Sequence, residues 1–187
     1  MFKSLKLQKG QRFLVRGGTT SVGLAAAAIV RNYGAEVYST TRRADRKSTL
    51  KAAGASLVII DDGKIADKVK ALGGVDKVLE LIGTTSIEDS LQCCREGGAV
   101  CITGMVGNSW TLPDFSPMGS IPTSVSLTTY AGGNEDVLAT PLTDLAKQVE
   151  EGSLKINIGK VFKLDEIVEA HRTMEGNKAA GKIVVLT

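Results

Sequence analysis

Histidine is all but absent from this chain, cysteine is sparse, and aromatic residues fill only 4% of its 187 positions. The single His171 and a cluster of Cys93, Cys94 and Cys101 cannot assemble a catalytic zinc shell, which draws three protein ligands around one ion. No metal site is expected. Three cysteines at that spacing fit no disulfide framework either. With Cys93 and Cys94 in a helical stretch and Cys101 in a strand-like run, all three read as small buried hydrophobes. No segment approaches the roughly 20 consecutive apolar residues of a membrane helix, and Met1-Phe2-Lys3-Ser4 does not open a charged-then-apolar leader. The chain therefore reads as cytoplasmic, with no membrane partner. A net charge of +3 and few aromatics leave neither the basic surface nor the stacking platforms of a nucleic-acid binder.

What the chain does have is a βα rhythm. Apolar β-rich runs at 12–16, 36–40, 57–60, 77–82 and 99–103 alternate with helical stretches at about 22–30, 45–53, 65–72 and 86–94. Gly34, Gly54, Gly83 and Gly104 close elements along the way, and Gly97-Gly98 reads as the turn into the fifth strand. Such alternation predicts an α/β fold, a doubly wound parallel sheet with helices on both faces. The stretch 108–122 holds three of the four prolines and reads as a long loop. Beyond it come a sixth strand at 124–130, a helix at about 142–151, a short run at 159–162, an amphipathic helix at about 165–174 and a closing strand at 182–186. In that last helix His171 lies at helical spacing from Ile167, Ala170 and Met174, which predicts a packing or hydrogen-bonding role.

The junction between the first strand and first helix reads Gly17, Gly18, Thr19, Thr20, Ser21, Val22, Gly23. Free N–H groups and the aligned peptide dipoles of a helix start attract an anion when no side chain blocks the approach, and this is where a Rossmann fold places a pyrophosphate. Gly17 and Gly18 allow the tight turn, and Gly23 allows close helix–strand contact. Thr20 and Ser21 stand where such loops often carry glycine, and their hydroxyls can donate to phosphate. The end of the second strand lacks the acidic residue that would hold the ribose of NAD. It presents Thr41, Arg42, Arg43 and Arg46 instead. A carboxylate would repel a 2′-phosphate, whereas guanidinium pairs with one. NADP(H) is the cofactor expected.

Taken together, the glycine loop, Thr40-Thr41-Arg42, Gly54-Ala55, Gly97-Gly98-Ala99-Val100 and the ending Ala170-His171 to Gly181-Lys182-Ile183-Val184 resemble the medium-chain dehydrogenase/reductase family. The likeness is to its zinc-independent, quinone-oxidoreductase-like members. That resemblance implies a sheet of order 3-2-1-4-5-6, with the nicotinamide over the carboxyl ends of strands four to six. Gly83, Gly104 and Met105 would line that cleft, and Thr129 and Tyr130 would approach the nicotinamide end. It further implies residues 1–135 as the NADP(H)-binding domain and 136–187 as helices and strands that pack on a GroES-like catalytic domain. Only about ten residues precede the first strand, so the chain is expected to be a fragment or half-length relative. The tail strands at 161–162 and 183–186 would then expose unpaired edges and apolar surface, favouring a homodimer.

Two functions follow. One is an NADPH-dependent oxidoreductase acting on a small quinone, enone or carbonyl, with no side chain assigned as catalytic. The other is a module that holds NADP(H) without turnover. A methyltransferase-like domain would need an acidic ribose clamp after the second strand, and a short-chain reductase a lysine four positions after a tyrosine. Neither is present.

Overall fold

The computed structural model describes residues 2–176, 178–179 and 181–187. Strands β1 (Arg12–Arg16), β2 (Glu36–Thr41), β3 (Leu57–Ile60), β4 (Val75–Glu80), β5 (Cys94–Ile102) and β6 (Ser126–Thr129) form one sheet of order β3-β2-β1-β4-β5-β6. Every pairing is parallel, with Phe13 opposite Val37 on one side and Lys77 on the other. This is the Rossmann-like order 3-2-1-4-5-6 expected.

Because side chains alternate across a strand and helices cover both faces, the middles of the central strands, Phe13-Leu14-Val15 and Val78-Leu79, are apolar on both faces. Phe13 and Val15 join one buried cluster with Leu24 and Val30, while Leu14 joins another with Ile65 and Ile87. The first cluster rests on α2 (Ser21–Tyr33), whose inward face is small enough to lie close to the sheet: Gly23, Ala26 and Ala27 are buried beside Leu24. Gly34 ends it in a left-handed conformation at φ 98°, donating to the carbonyls of Arg31 and Val30. Around the sheet lie α3 (Lys47–Ala52), α4 (Ala66–Ala71), α5 (Ile87–Gln92) and the single turn α6 (Pro117–Ser120). A short N-terminal helix, α1 (Phe2–Leu5), and the segment after it place Leu5 and Leu7 in the core, and Ser4 Oγ donates to the Thr129 carbonyl of β6.

Several expectations are corrected. Cys94 belongs to β5 rather than to the preceding helix, which ends at Gln92 with Cys93 as its C-cap. Gly97-Gly98 is accordingly no turn before the strand but an irregularity within it, where the register shifts between Val75 and Lys77. Gly97 sits at φ 75°, and a Cβ on Gly98 would lie 2.7 Å from the Arg95 carbonyl oxygen. The helix expected from Asp45 begins at Lys47, after a 3-10 turn over Ala44–Arg46.

After β6 the chain forms α7 (Asn134–Leu138), which the sequence reading missed, then α8 (Leu142–Glu150). The remainder is a strand–helix–strand unit of β7 (Ile158–Lys163), α9 (Ile167–Glu175) and β8 (Lys182–Leu186). Instead of standing unpaired, β7 and β8 pair with each other in parallel, Val161 opposite Val184, so that each keeps only one open edge. In α9 the buried residues are Ala170 and Thr173, while His171 is exposed and makes no hydrogen bond among the described residues. The packing role expected of it falls to its neighbours. Asn32 Nδ2, on α2, donates to the Ser153 carbonyl at 2.9 Å and ties this tail to the sheet domain.

Candidate functional site

The glycine loop is shaped by the strands beside it. Gly17 N–H donates to Thr40 Oγ1 and Gly18 N–H to the Thr40 carbonyl, both at 3.1 Å, which fixes the turn against the end of β2. Gly17 sits at φ 87°, and a Cβ on Gly18 would run into the Ser39 hydroxyl. Thr20, the departure from glycine, proves to be the N-cap of α2: its hydroxyl donates to the Gly17 carbonyl at 2.9 Å and accepts the Gly23 N–H at 3.0 Å. A Cβ on Gly23 would stand 2.7 Å from the Gly17 carbonyl oxygen, so loop and helix close on each other only because that position is glycine. Among the described residues the N–H groups of Thr19, Ser21 and Val22 have no acceptor. Unsatisfied donors at the positive end of a 13-residue helix form an anion-receptive mouth.

That mouth opens onto two adjoining cavities. One, of about 580 Å³, runs along the carboxyl ends of the strands and includes Gly17, Thr41, Asp61, Ile82 and Gly107. The other, of about 650 Å³, lies over Ser21, Arg46 and Thr49. Thr19, Thr20, Thr41 and Arg42 line both. Thr41 Oγ1 accepts the Arg43 N–H at 3.1 Å, making a tight turn at the tip of β2. Arg43 forks onto Asp45 at 3.0 and 2.6 Å, and this hydrogen bonding holds the Asp45 carboxyl below its usual range. Arg42 makes no hydrogen bond or ion pair among the described residues, and Arg46 is half-buried in the wall of the larger cavity.

Of the residues singled out by sequence, Gly17, Thr19, Thr20, Ser21, Thr41, Arg42 and Arg46 come together on these cavities. Gly18 and Gly23 lie buried beneath the loop, and Val22 is exposed beside it. Gly83 and Met105 pack on each other behind the cleft, where a Cβ on Gly83 would meet Met105 Sδ at 2.6 Å, and Gly104 sits against the Leu81 carbonyl. Thr129 and Tyr130 lie outside both cavities. Tyr130 N–H donates to Ile102 O, and its own carbonyl accepts Thr103 Oγ1. Thr40, whose hydroxyl the sequence also placed at the end of the second strand, lies on the cavity wall as well. Sequence reasoning missed Asp61, Ile82, Gly107 and the tail residue Lys182, all on the cavity walls. For Asp61 and Ile82 the signal was available, since each stands just beyond the carboxyl end of a strand.

Beneath the mouth lies a buried charge network. Arg16, fully enclosed, reaches Asp61 with Nε and Nη2 (3.1 Å each) and Asp89 with Nη1 (2.6 Å). Burial works against its charge, but the hydrogen bonding and charge of Asp61, helped by Asp89 and Glu80, outweigh it and raise the pKa. Glu80, also buried, accepts the N–H groups of Ile82 (2.7 Å) and Gly83 (3.1 Å) and the Ser90 hydroxyl. Desolvation dominates and pushes its carboxyl above the ordinary range.

The residues do not fit zinc. Among the described residues no group of three or more His, Cys, Asp or Glu converges on a point. Burial pushes the Cys94 thiol up to about 12 and raises Cys93 and Cys101 as well, the reverse of what a thiolate ligand needs.

Residues 53–185 match the family of zinc-binding dehydrogenases. The chain is 27% identical over 191 residues to a quinone oxidoreductase of Pongo abelii, covering 100% of this chain and 57% of that protein. It is 25% identical over 179 residues to an acryloyl-coenzyme A reductase of Sulfurisphaera tokodaii, covering 96% and 52% respectively. A mycobacterial protein solved in complex with NADPH superimposes with a TM-score of 0.79 at 25% identity, covering 97% of this chain and 58% of that one. The chain thus spans little more than half the length of these relatives.

Proposed function

We propose that this chain, which belongs to the zinc-binding dehydrogenase family and is similar to the cofactor-binding half of its quinone-oxidoreductase-like members, binds NADPH for the reduction of a quinone or an activated alkene or carbonyl. The observation that carries the reading is a helix mouth with unsatisfied N–H donors beside an uncompensated guanidinium, Arg42, with no carboxylate among the described residues that line the cavity they share with Arg46. In this reading the pyrophosphate rests on the N–H groups of Thr19, Ser21 and Val22, with Thr20 holding the loop in shape. Arg42 and Arg46 grip the 2′-phosphate by charge-assisted hydrogen bonds. The adenosine lies along Thr41 and Asp61, and the nicotinamide end extends toward Gly83, Gly104, Met105, Thr129 and Tyr130 at the carboxyl ends of β4 to β6.

Bound NADPH would supply a hydride from its nicotinamide C4. The chain's own contribution is to bind and orient: close glycine packing excludes side chains from the pyrophosphate path, and the fixed turn at Thr41 sets the distance between mouth and arginines. The tail, residues 136–187, offers exposed Val161, Val168 and Leu186 as the face that packs on a further domain.

Titration of the exposed Trp110 fluorescence tests the binding. NADPH is expected to bind at least about tenfold tighter than NADH, the worth of one good charge-assisted pair. Arg42→Ala with Arg46→Ala should erase most of that margin while sparing NADH affinity. Discrimination that survives the double substitution would sink the phosphate assignment. Turnover assays with a quinone and with an enone then separate an oxidoreductase from a module that merely holds the cofactor.

A further inference from the structure

The larger cavity has a second wall, and that wall comes from the tail. Opposite Arg42, Arg43 and Arg46, it is closed by Met174 of α9 and by Gly181, Lys182 and Ile183 at the start of β8. Among the described residues that line it, four are cationic, Arg42, Arg43, Arg46 and Lys182, and none is acidic. Asp45, next in the chain to this arginine turn, is engaged by both hydrogen bonds from Arg43. With Arg43 balanced by Asp45, three cations remain in the cavity walls, and they repel one another unless an anion enters, because like charges across a partly enclosed space are screened less than on open surface.

The position of Lys182 is fixed by backbone, not by a flexible tether. Its N–H donates to the Asn157 carbonyl at 2.8 Å, and it pairs in register with Ile158 of β7. Gly181 beside it cannot carry a side chain, since a Cβ there would sit 2.6 Å from that same Asn157 oxygen. The tail sheet therefore presents one lysine to the cavity at the point where β8 begins. On the apolar side Leu24, Met174 and Ile183 complete the wall, which suits a phosphate carried on an organic group better than a free ion.

Resting on the NADPH reading above, we propose that Lys182 is a specificity-determining residue for the 2′-phosphate, so that the pocket for this group is shared between the arginine turn after β2 and the C-terminal strand. The phosphate then bridges two parts of the fold joined elsewhere by contacts such as that of Asn32 with Ser153. Discrimination between NADPH and NADH depends on the tail as well as on the glycine-loop domain.

Isothermal titration of the full chain with NADPH, NADH and adenosine 2′,5′-bisphosphate tests this. Lys182→Ala should weaken NADPH and the bisphosphate about tenfold, as loss of one charge-assisted contact would, with NADH affinity unchanged and Lys182→Arg restoring both. Equal losses for NADPH and NADH would show that the tail only packs against the site, and unchanged NADPH affinity would remove Lys182 from it; either overturns the proposal. Arg42→Ala, measured beside it, keeps the two readings apart. If Arg42→Ala lowers NADPH selectivity and Lys182→Ala does not, the tail inference alone fails; if neither does, the phosphate site itself is misplaced.

Discussion

The sheet domain and the tail use the same ingredients, β-branched strands joined by short helices, yet they bury them to different extents. In the central sheet Phe13, Leu14, Val15, Val78 and Val100 are wholly enclosed. In the tail Leu154, Phe162 and Ala170 are the buried hydrophobics among the described residues, whereas Ile158, Val161, Val168 and Leu186 are more than half exposed. The cause is layering, not composition. A central parallel strand has a partner on each edge and a helix on each face, while β7 and β8 form a two-stranded ribbon with one helix, an arrangement that three or more strands or further packing would normally be needed to stabilise. Folding strength is thus concentrated in the part that shapes the anion mouth, and contact potential in the part that closes over it.

The sharpest way to break this comparison is to unbalance the interior of the sheet domain. Arg16→Ala would leave Asp61, Asp89 and Glu80 facing one another without a cation and should cost about 3–5 kcal/mol in urea unfolding, as removing one partner from a buried ionic group does. A loss below about 1 kcal/mol would mean that the network is far wetter than its burial implies. The matching change in the tail, Val161→Lys with Leu186→Lys, should alter stability by less than about 0.5 kcal/mol per site while shifting any dimer seen by sedimentation velocity toward monomer. A large stability loss there would show that those side chains are packed after all.

The smallest effect concerns pH. Because burial raises the Glu80 carboxyl in the folded state, its contribution to stability is fully present below the ordinary carboxyl range and is lost as pH rises through the elevated folded value. Glu80→Gln cannot ionise, so its melting temperature relative to the unsubstituted chain should become more favourable between pH 4.5 and neutrality. A difference that is flat across that window would mean that the backbone donors of Ile82 and Gly83 and the charge of Arg16 compensate the desolvation fully.

How legible these features are in the sequence depends on how local they are. The strands themselves, the glycine loop and the bounds of β8 follow from short-range periodicity and punctuation, and β8 spans Lys182–Leu186 as expected, whereas the strand order came only with the family resemblance. The Gly97-Gly98 pair misleads because glycine marks turns and strand irregularities alike, and only the partner strand β4 decides between them. The helix α7 carries Asn134, Glu135 and Asp136 in five residues and has no apolar period to reveal it. The Arg16 network is invisible for another reason: Asp61 follows β3, whereas Glu80 and Asp89 flank the connection from β4 to α5, and they gather around Arg16 of β1 only after the sheet is ordered. Lys182 is the extreme case, since its proximity to Arg42 requires the whole tail to fold back across the sheet domain.

The threonine that caps α2 has a thermodynamic corollary. With both lone-pair and proton of its hydroxyl committed inside the loop, the turn is already rigid before a phosphate arrives. Little chain entropy remains to be surrendered on association, so Thr20→Gly, though it would widen the approach, should bind the nucleotide with a larger entropic penalty and a slower, looser fit.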